Sequence, residues 1–344
     1  MRTRNVDFFE ECETIAKGYK NGPALYQASK FWEYFNERNL GQLRQGGFEK
    51  FKQTANWNYF QFMAISLRDP YFLILLSVTK KLELLKIILR SRIKNCSLPF
   101  LRTIVHKWYV CMLYKVVKSR DYLNILNRVV EPEEGTPVKV YYEGKQISQD
   151  IVSSTLEFYA MEEVMKLTER TSLKFAEIGA GGGRLGYLML SLFRDKNAKY
   201  CIFDIPPALC ISQYYLMKVF PGVKVFHYRE FQDFSQIEKE FNEAQLCFFL
   251  PHQMELLPPK TFDVFIAISN LPEMRLEQIK NYFKQIDRLC AGYFYNKQFW
   301  EHTNAKDNYI MRFLDYPAPS HWQIQLLRPT LGKMDFFEAV YKIA

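Results

Sequence analysis

One stretch of the sequence, Leu173–Tyr187, constrains the fold more than any other, and it reads LKFAEIGAGGGRLGY. Its apolar start predicts a short strand over Phe175–Ile178, and the residues after the turn predict an apolar helix. Between them the chain carries glycines at Gly179, Gly181 and Gly183. A glycine lets the backbone approach a ligand where any Cβ would collide. The stretch therefore predicts a strand, a ligand-binding turn and a helix.

An acidic residue closes the next apolar run. Tyr200–Phe203 predicts the second strand, and Asp204 stands directly after it. A carboxylate at that strand end can accept hydrogen bonds from both ribose hydroxyls of a nucleotide-type cofactor. Strand, glycine turn, helix, strand and terminal acid together are the layout of such a site. A tight strand–helix turn that binds no ligand is the alternative interpretation.

Two side chains around the turn narrow the choice of cofactor. A dinucleotide-binding turn has its third glycine at the position of Arg184, where a small residue leaves room for a pyrophosphate. Glu177, two residues before the first glycine, would repel a pyrophosphate but could attract a cationic amine. S-adenosylmethionine carries an ammonium, a sulfonium and a ribose, and no phosphate. The sequence therefore favours S-adenosylmethionine, with S-adenosylhomocysteine as the product, and a methyltransferase over a dehydrogenase.

The strand ends near this turn supply the other predicted cofactor contacts, because ligands of α/β folds bind at the carboxyl ends of the parallel strands. The residues expected to contact the cofactor are Glu177, Gly179, Ala180, Gly181, Gly183, Arg184, Asp204, Ile205, Pro251, Gln253, Ser269 and Asn270. No group of His, Asp and Glu has the spacing of metal ligands, so no metal is expected.

The chain has a break in composition at Glu131–Pro137, which contains two prolines, a glycine and three acids. Residues 1–130 hold 22 Lys and Arg against 10 Asp and Glu, a net charge of +12, whereas residues 131–344 hold 24 against 27, a net charge of −3. Apolar residues recur at helical steps in the first part. The sequence predicts a basic, mainly helical domain over 1–130 and a cofactor-binding domain over 131–344.

The excess of basic residues in the N-terminal region indicates which partners this region attracts. Lys86, Arg90 and Lys94 fall on one stripe of a predicted helix. Such a stripe is either a solvated helix face or a face that binds phosphates or an anionic membrane surface.

Three observations predict where the protein is found. No apolar run reaches the about 20 residues needed to cross a bilayer, and the N-terminus has no signal-peptide core. The seven cysteines contain no Cys-x-x-Cys pair, which fits buried thiols in a reducing compartment. We therefore expect a cytoplasmic protein, with peripheral contact at the inner face of the membrane if the basic stripe binds lipid.

After residue 173 the chain alternates apolar strands with helices, which predicts a mostly parallel sheet covered by helices on both faces. Val223–Tyr228 and Leu246–Leu250 are both candidates for the third strand. The last two predicted strands, His321–Leu327 and Phe336–Ile343, predict an antiparallel pair around a turn. The other predicted elements are a hairpin over Val138–Ile147, helices over Ser148–Thr168, Pro206–Val219 and Leu276–Leu289, and strands over Phe262–Ile268 and Gly292–Asn296. A parallel sheet closed by an antiparallel C-terminal pair is the Rossmann-like fold of class I methyltransferases.

Several blocks spread along the chain carry a family resemblance. They are Glu177–Tyr187, Phe203–Leu209, Leu250–Pro258 and Phe262–Met274 in the cofactor half, and Phe31–Glu37, Asn56–Phe60 and Ile147–Asp150 nearer the N-terminus. These blocks resemble the sugar O-methyltransferases of bacterial surface-polysaccharide gene clusters. The resemblance implies methyl transfer from S-adenosylmethionine to a sugar hydroxyl of a surface polysaccharide, or of its lipid- or nucleotide-linked precursor.

One turn departs from that family. After the strand Phe262–Ile268 the family carries His-Glu-Met, whereas this chain has Pro272, Glu273 and Met274. A catalytic histidine at this turn therefore does not carry over. Because of this departure, an alternative to an enzyme stays open: a catalytically inactive binding protein with a methyltransferase fold.

Transfer to a sugar hydroxyl needs a base, since the hydroxyl is a poor nucleophile until it loses its proton. His252 is the first candidate, because it follows an apolar strand and a histidine has a pKa near 6.5. Glu273 follows another strand end, and His321 lies in a loop near the last strands. These three are the predicted catalytic residues.

The basic N-terminal region raises a second enzymatic alternative, methylation of nucleic acid. The sequence contains no recognised RNA-binding module and no Asn/Asp-Pro-Pro-Tyr motif of base-flipping methyltransferases. A saccharide is therefore the expected partner, lipid-linked if the N-terminal region meets a membrane, and nucleic acid is not expected.

Overall fold

The computed structural model describes residues 8–54 and 99–343 of the chain. Its α-helices are Phe8–Asn21 (α1), Lys30–Gly46 (α2), Phe51–Thr54 (α3), Pro99–Lys118 (α4), Ile125–Arg128 (α5), Gln149–Met165 (α6), Arg184–Phe193 (α7), Ala208–Val219 (α8), Glu238–Glu243 (α9) and Leu276–Leu289 (α10). Its β-strands are Val140–Tyr142 (β1), Lys145–Ile147 (β2), Lys174–Ile178 (β3), Lys199–Phe203 (β4), Val225–Phe226 (β5), Leu246–Phe249 (β6), Phe262–Ile268 (β7), Cys290–Phe299 (β8), Glu301–Asn304 (β9), Tyr309–Arg312 (β10), Gln323–Thr330 (β11) and Lys333–Lys342 (β12).

The central sheet has eight strands in the order β11-β12-β8-β7-β3-β4-β6-β5. Neighbours from β8 to β5 run parallel, whereas β12 pairs antiparallel with β8 and with β11. The predicted fold class is confirmed: the sheet is Rossmann-like and ends in the antiparallel C-terminal pair of class I methyltransferases. The carboxyl ends of β3, β4 and β7 meet at one edge, where α/β folds bind their ligands.

The choice between the two candidate third strands is settled by pairing. Leu246–Phe249 takes the inner position, where Tyr200 lies opposite Leu246, and Val225–Phe226 adds a short outer strand. All four residues of the inner strand are buried, whereas Val225 is only partly buried. The wholly apolar segment occupies the inner position because a parallel strand there has both faces covered.

Strand β4 is buried along its whole length, and its side chains alternate between two cores. Tyr200 and Ile202 pack into the core that contains α7 and α8, whereas Cys201 and Phe203 pack into the core that contains α10. The continuous apolar run in the sequence reflects this burial on both faces.

The C-terminal strands are longer than predicted. β11 and β12 continue into the predicted turn until Thr330 lies opposite Lys333. Gly332, at a φ of 74°, allows this tight connection. Pro329 is tolerated because β11 is an edge strand, and the strand register shifts directly after it.

Helix α6 confirms the helix predicted over Ser148–Thr168, and the hairpin of β1 and β2 precedes it as expected. Ser148 caps the helix, since its Oγ accepts a hydrogen bond from the backbone N–H of Ile151 at 3.1 Å. Most residues of α6 are buried, so this helix lies inside the molecule rather than on its surface.

The described parts of the N-terminal region are helical, as predicted, and they pack onto the sheet. Ile15 of α1 and Phe51 of α3 are fully buried in the same core as Phe175 of β3. Lys52 forms a buried ion pair with Glu131. The division of the chain near residue 131 stays a prediction, and these contacts join its two sides.

Two cysteines correct the expectation of unpaired thiols. Cys12 of α1 and Cys210 of α8 form a disulfide between residues 198 positions apart, with their Cα atoms 5.5 Å from each other. No pattern in the sequence indicates this pair, because tertiary packing alone brings the two helices together.

The predicted basic stripe of Lys86, Arg90 and Lys94 lies outside the described residues. Within the described ranges, no helix is long and apolar enough to cross a membrane.

Candidate functional site at the carboxyl edge of the sheet

A cavity of about 330 Å³ opens at the carboxyl ends of the central strands. It brings together most of the residues predicted at the site. The predicted residues in its lining are Glu177, Gly179, Ala180, Gly181, Arg184, Asp204, Ile205, Pro251, Ser269, Asn270 and Glu273. Residues far apart in the sequence meet here because parallel strands end at the same edge.

The glycine turn uses the conformational freedom of its residues. Gly179 and Gly181 have φ values of 69° and 58°, a region that side chains rarely adopt. A Cβ on Gly179 would lie 2.4 Å from Nδ2 of Asn270. Gly183, which is not in the cavity lining, has a φ of 79°, and a Cβ there would lie 3.2 Å from Leu216. The first two glycines thus shape the cavity, and the third shapes the packing of α7 on α8.

Asp204 forms hydrogen bonds that link the turn after β3 to the end of β4. Its Oδ2 accepts a hydrogen bond from the N–H of Gly181 at 2.9 Å, and its Oδ1 accepts one from the N–H of Ile205 at 2.7 Å. Burial raises the pKa of Asp204 to about 7, although both backbone N–H groups favour the charged form. Two N–H donors leave lone pairs on the carboxylate for a ligand in the cavity.

Glu177 is the second buried carboxyl of the turn. Its Oε2 accepts a hydrogen bond from the hydroxyl of Tyr200 at 2.7 Å. Burial raises the pKa of Glu177 to about 7, and both this hydrogen bond and the charge of Arg184 lower it. Binding of a cation or a hydroxyl-rich ligand near Glu177 and Asp204 would therefore favour the charged forms of both carboxyl groups.

Arg184 lines the cavity, and its guanidinium binds a carboxylate on α6. It binds both carboxylate oxygens of Glu157, at 2.5 and 2.9 Å, and Lys297 reaches the same carboxylate at 2.8 Å. Burial raises the pKa of Glu157, but the two cations outweigh it and lower that pKa to about 2. The three side chains form a closed ion cluster in the cavity wall.

Asn270 and Ser269 follow β7 at the edge of the cavity. The amide of Asn270 donates a hydrogen bond to the carbonyl of Ile178, and its backbone N–H donates to Oε1 of Gln298 at 3.0 Å. Ser269 has a φ of 56°, which is uncommon for a residue with a side chain. Asn270 thus holds the strand that enters the glycine turn in place.

Of the three predicted bases, only Glu273 lines the cavity. Glu273 ends the short 3-10 helix Leu271–Glu273 that follows β7, and it is half-buried. The surrounding protein raises the pKa of Glu273 to about 8 by desolvation. A carboxyl group with a pKa near neutrality can exchange a proton with a bound hydroxyl.

The two histidines lie elsewhere. His252 packs behind the cavity, with its ring 6.4 Å from that of Tyr26, and burial lowers its pKa. His321 is exposed, and its Nε2 lies 2.8 Å from a carboxylate oxygen of Asp287. Neither residue belongs to the cavity lining.

Gln253 also lies outside the cavity lining. Its Oε1 accepts a hydrogen bond from the N–H of Leu250 at 3.0 Å, and its amide donates to the carbonyl of Arg229 at 2.8 Å. Both groups of the side chain are thus used to fix the turn after β6.

A second wall of the cavity was not predicted. It comes from α2, α3, α6 and the C-terminal strands, and includes Phe31, Trp32, Phe35, Asn36, Asn39, Lys52, Gln149, Asp150, Ser153, Glu157, Lys297, Lys333 and Phe336. One feature of the sequence points to some of the residues in this second wall. Two blocks of the family resemblance, Phe31–Glu37 and Ile147–Asp150, contain several of these residues.

Lys52 is the buried cation of this second wall. It pairs with Glu131 and lies 3.0 Å from a carboxylate oxygen of Asp150, and its Nζ lies 4.4 Å from the ring centre of Tyr215. Burial opposes the charge of Lys52, but the two carboxylates outweigh it and raise its pKa. Its charge is therefore committed to partners within the protein.

The cavity thus presents two carboxyl groups at the glycine turn, and aromatic and amide side chains on the second wall. Among the residues that the structure describes, no group of three or more His, Cys, Asp or Glu side chains could hold a metal ion.

No protein-family profile matches the sequence, and no curated protein matches it. The structure is similar to solved methyltransferases. With magnesium protoporphyrin IX methyltransferase from Synechocystis PCC 6803 it shares 12% identity over 67% of this chain and 97% of that chain, with a TM-score of 0.39. With a SAM-dependent methyltransferase from Aquifex aeolicus it shares 13% identity over 56% of this chain and 93% of that chain, with a TM-score of 0.32. With an rRNA methylase from Escherichia coli it shares 14% identity over 57% of this chain and 68% of that chain, with a TM-score of 0.34. At such identities, the activity of this chain has to be argued from its own residues.

Proposed function

We propose that the protein is an S-adenosylmethionine-dependent methyltransferase. One observation carries the proposal: two buried carboxyl groups, Glu177 and Asp204, flank a glycine turn on one cavity. Both have pKa values raised to about 7 by burial, so a cationic, ribose-bearing ligand would favour their charged forms.

The residues present fit this cofactor. Asp204 would accept hydrogen bonds from the ribose hydroxyls, since its two backbone donors leave lone pairs on the carboxylate. Glu177 would lie near the ammonium. Gly179 and Gly181 would allow the backbone to approach, because neither carries a Cβ. When bound, S-adenosylmethionine supplies a methyl group activated by its sulfonium.

A dinucleotide fits the same residues less well. A pyrophosphate at the turn would meet the carboxyl groups of Glu177 and Asp204, and like charges repel. The guanidinium of Arg184 would not offset them, because Glu157 already binds it through both oxygens. These side chains therefore favour S-adenosylmethionine over NAD.

We further propose that the acceptor is a hydroxyl group and that Glu273 is the base. Its carboxylate would take the proton from the hydroxyl as the methyl group is transferred, because its pKa, raised to about 8, lies near that of a useful general base. The cavity walls would exclude water and align the acceptor oxygen with the methyl group. His252 and His321 do not line the cavity, so they would influence the reaction only through other residues.

We propose a saccharide as the acceptor, from a surface polysaccharide or from its lipid- or nucleotide-linked precursor. Two observations support it: the resemblance of seven sequence blocks to sugar O-methyltransferases, and the aromatic and amide side chains of α2 in the cavity. The basic excess of residues 1–130 supports a peripheral contact with an anionic membrane, where a lipid-linked precursor would be found.

Two measurements test this function. Calorimetry should show binding of S-adenosylhomocysteine that is tighter than binding of NAD. Incubation with methyl-labelled S-adenosylmethionine and a panel of nucleotide sugars, lipid-linked saccharides, surface glycans and RNA should label a saccharide. The label should resist alkali, because a methyl ether does and a methyl ester does not. Tighter binding of NAD, or label in RNA alone, would overturn the proposal.

A further inference from the structure

One face of α2 lines the cavity with uncharged side chains. Phe31, Trp32, Phe35, Asn36 and Asn39, here called the α2 wall, all belong to the cavity lining. Trp32, Phe35, Asn36 and Asn39 recur at three- and four-residue steps, so they lie on one side of the helix. The residues between them, such as Tyr34 and Glu37, are exposed on the other side.

The aromatic part of the α2 wall forms one continuous apolar surface. The ring centres of Phe31 and Trp32 lie 5.5 Å apart, and those of Phe31 and Phe35 lie 4.8 Å apart. Phe31 and Phe35 are only half-buried, so part of this surface faces the cavity. Aromatic side chains at a binding site cover flat, apolar faces of ligands.

Asn39 adds a buried polar group to the α2 wall. The residue is 2% exposed, and within residues 8–54 and 99–343 its Oδ1 accepts no hydrogen bond. A buried amide oxygen without a partner costs about 1–3 kcal/mol. Because the oxygen and nitrogen of an amide can be exchanged in a structure, the ligand group should be able to donate and to accept. A hydroxyl does both, whereas a carboxylate or phosphate only accepts.

The α2 wall begins beside the proposed base. The Oγ of Ser29, which caps α2, donates a hydrogen bond to the backbone carbonyl of Glu273 at 2.6 Å. From Trp32 to Asn39 the helix rises about 10 Å. The α2 wall therefore begins beside the loop that carries Glu273 and continues along the cavity lining.

Resting on the proposed methyl transfer to a hydroxyl, we propose that the α2 wall is the acceptor subsite and that it takes a neutral pyranose. The C–H face of the sugar ring lies on Phe35 and its aromatic neighbours, and a ring hydroxyl forms a hydrogen bond with the amide of Asn39. The α2 wall contains no charged side chain, and the adjacent Lys52 is already paired with Glu131 and Asp150. These features favour a neutral ring over a uronic acid.

The test uses the full chain with S-adenosylhomocysteine present. Saturation-transfer NMR is run with methyl α-D-glucopyranoside, methyl α-D-mannopyranoside, methyl β-D-galactopyranoside and sodium glucuronate. We expect transfer to the ring protons of at least one neutral glycoside and weaker transfer to glucuronate. Asn39→Ala should weaken binding of that glycoside about threefold to tenfold, the range for one neutral hydrogen bond. Phe35→Ala should weaken it further.

The matched control on the exposed face of the same helix is Glu37→Ala, which should bind the glycoside as the wild type does. The urea midpoint of Asn39→Ala should fall little, because the amide oxygen of Asn39 accepts no hydrogen bond from the described residues, and Asn39→Leu offers a second variant that fills the space. A large loss of stability in both variants would assign Asn39 to the fold and overturn the inference.

The outcomes separate this inference from the proposed function. No transfer to any neutral glycoside, unchanged binding by Asn39→Ala, or preferred binding of glucuronate overturns the acceptor subsite, while binding of S-adenosylhomocysteine leaves the methyltransferase intact. Failure to bind S-adenosylhomocysteine overturns the proposed methyltransferase function. The saturation-transfer measurement with the glycosides then still tests whether the α2 wall binds a sugar.

Discussion

The two sides of the cavity are built in different ways. The glycine-turn side is local: Glu177, Gly179, Gly181 and Asp204 lie within one strand–helix–strand unit, and the N–H of Gly181 donates a hydrogen bond to Asp204. The opposite side joins α2, α6 and the C-terminal strands, which are far apart in the sequence. The local side can therefore be recognised from a motif, whereas the other exists only after the chain has folded.

The two sides also differ in how they hold charge. Burial raises the pKa values of Glu177 and Asp204 to about 7. In the second wall Glu157 has a pKa lowered to about 2, and Lys52 has a raised pKa, because each binds opposite charges. The glycine turn thus offers carboxyl groups to a ligand, whereas the ion clusters of the second wall stabilise the fold.

The largest effect is expected at the strand end where the two sides meet. Glu273→Gln should lower the rate of methyl transfer roughly 10²–10⁴-fold, because it removes the proposed base, and binding of S-adenosylhomocysteine should hold. In the wild type, kcat/KM should rise as the pH increases through about 8, since Glu273 must lose its proton to act. The variant should not show this rise.

Glu277→Gln, on the exposed start of α10, is the matched control and should keep full activity. An active Glu273→Gln enzyme would show that Glu273 is not the base.

On the opposite side, Glu157→Gln should lower the free energy of unfolding by about 3–5 kcal/mol, since it leaves Arg184 and Lys297 buried without their shared carboxylate. Urea titration at pH 7 measures it. Because the pKa of Glu157 is lowered in the folded state, its stabilising contribution is complete above the unfolded pKa near 4.5 and is lost as the pH falls toward 2. Glu163→Gln, at an exposed pair, should cost far less.

At the glycine turn, Asp204→Ala should weaken binding of S-adenosylhomocysteine by about 1.5–3 kcal/mol, because it removes charged hydrogen bonds to the ribose. Calorimetry on the wild type and the variant measures this difference. Wild-type affinity should also decline as the pH falls below about 7, where Asp204 becomes protonated. Equal affinity for the two proteins would remove Asp204 from the cofactor site.

The same carboxyl groups set a pH dependence of the ligand-free protein. The pKa values of Glu177 and Asp204 are raised in the folded state, so the folded protein holds more protons between about pH 4 and 7. Their contribution to stability therefore declines as the pH rises through that range and is constant above it. S-adenosylhomocysteine should stabilise the protein more at pH 8 than at pH 5, as thermal melts at the two pH values would reveal.

The smallest effect is expected for the predicted basic stripe, which lies outside the described residues. Lys86→Glu with Arg90→Glu should reduce flotation with anionic liposomes at low salt, since each basic residue contributes about 1 kcal/mol near such a surface. Neutral liposomes and high salt are the controls. Absence of flotation with anionic vesicles would remove the membrane contact and leave the cavity proposals as they are.

The sequence by itself determined the fold class and the local half of the site. The spacing of Glu177, the glycines and Asp204 is a property of consecutive residues, so the motif predicted both the strand–turn–helix unit and its position in the cavity. Helix α10 matches its predicted span, because its apolar period is regular. Buried parallel strands such as β7 were recognised from their continuous apolar runs.

Only the tertiary structure decided which distant residues meet. It placed Glu273 in the cavity and left His252, His321 and Gln253 outside it, although all four lie near predicted strand ends or the closing loops. It joined Cys12 to Cys210 and brought Asn39 to the wall opposite the glycine turn. Local spacing fixes hydrogen bonds and periodicity along a segment, whereas the direction of a side chain after a strand depends on how whole elements pack against each other.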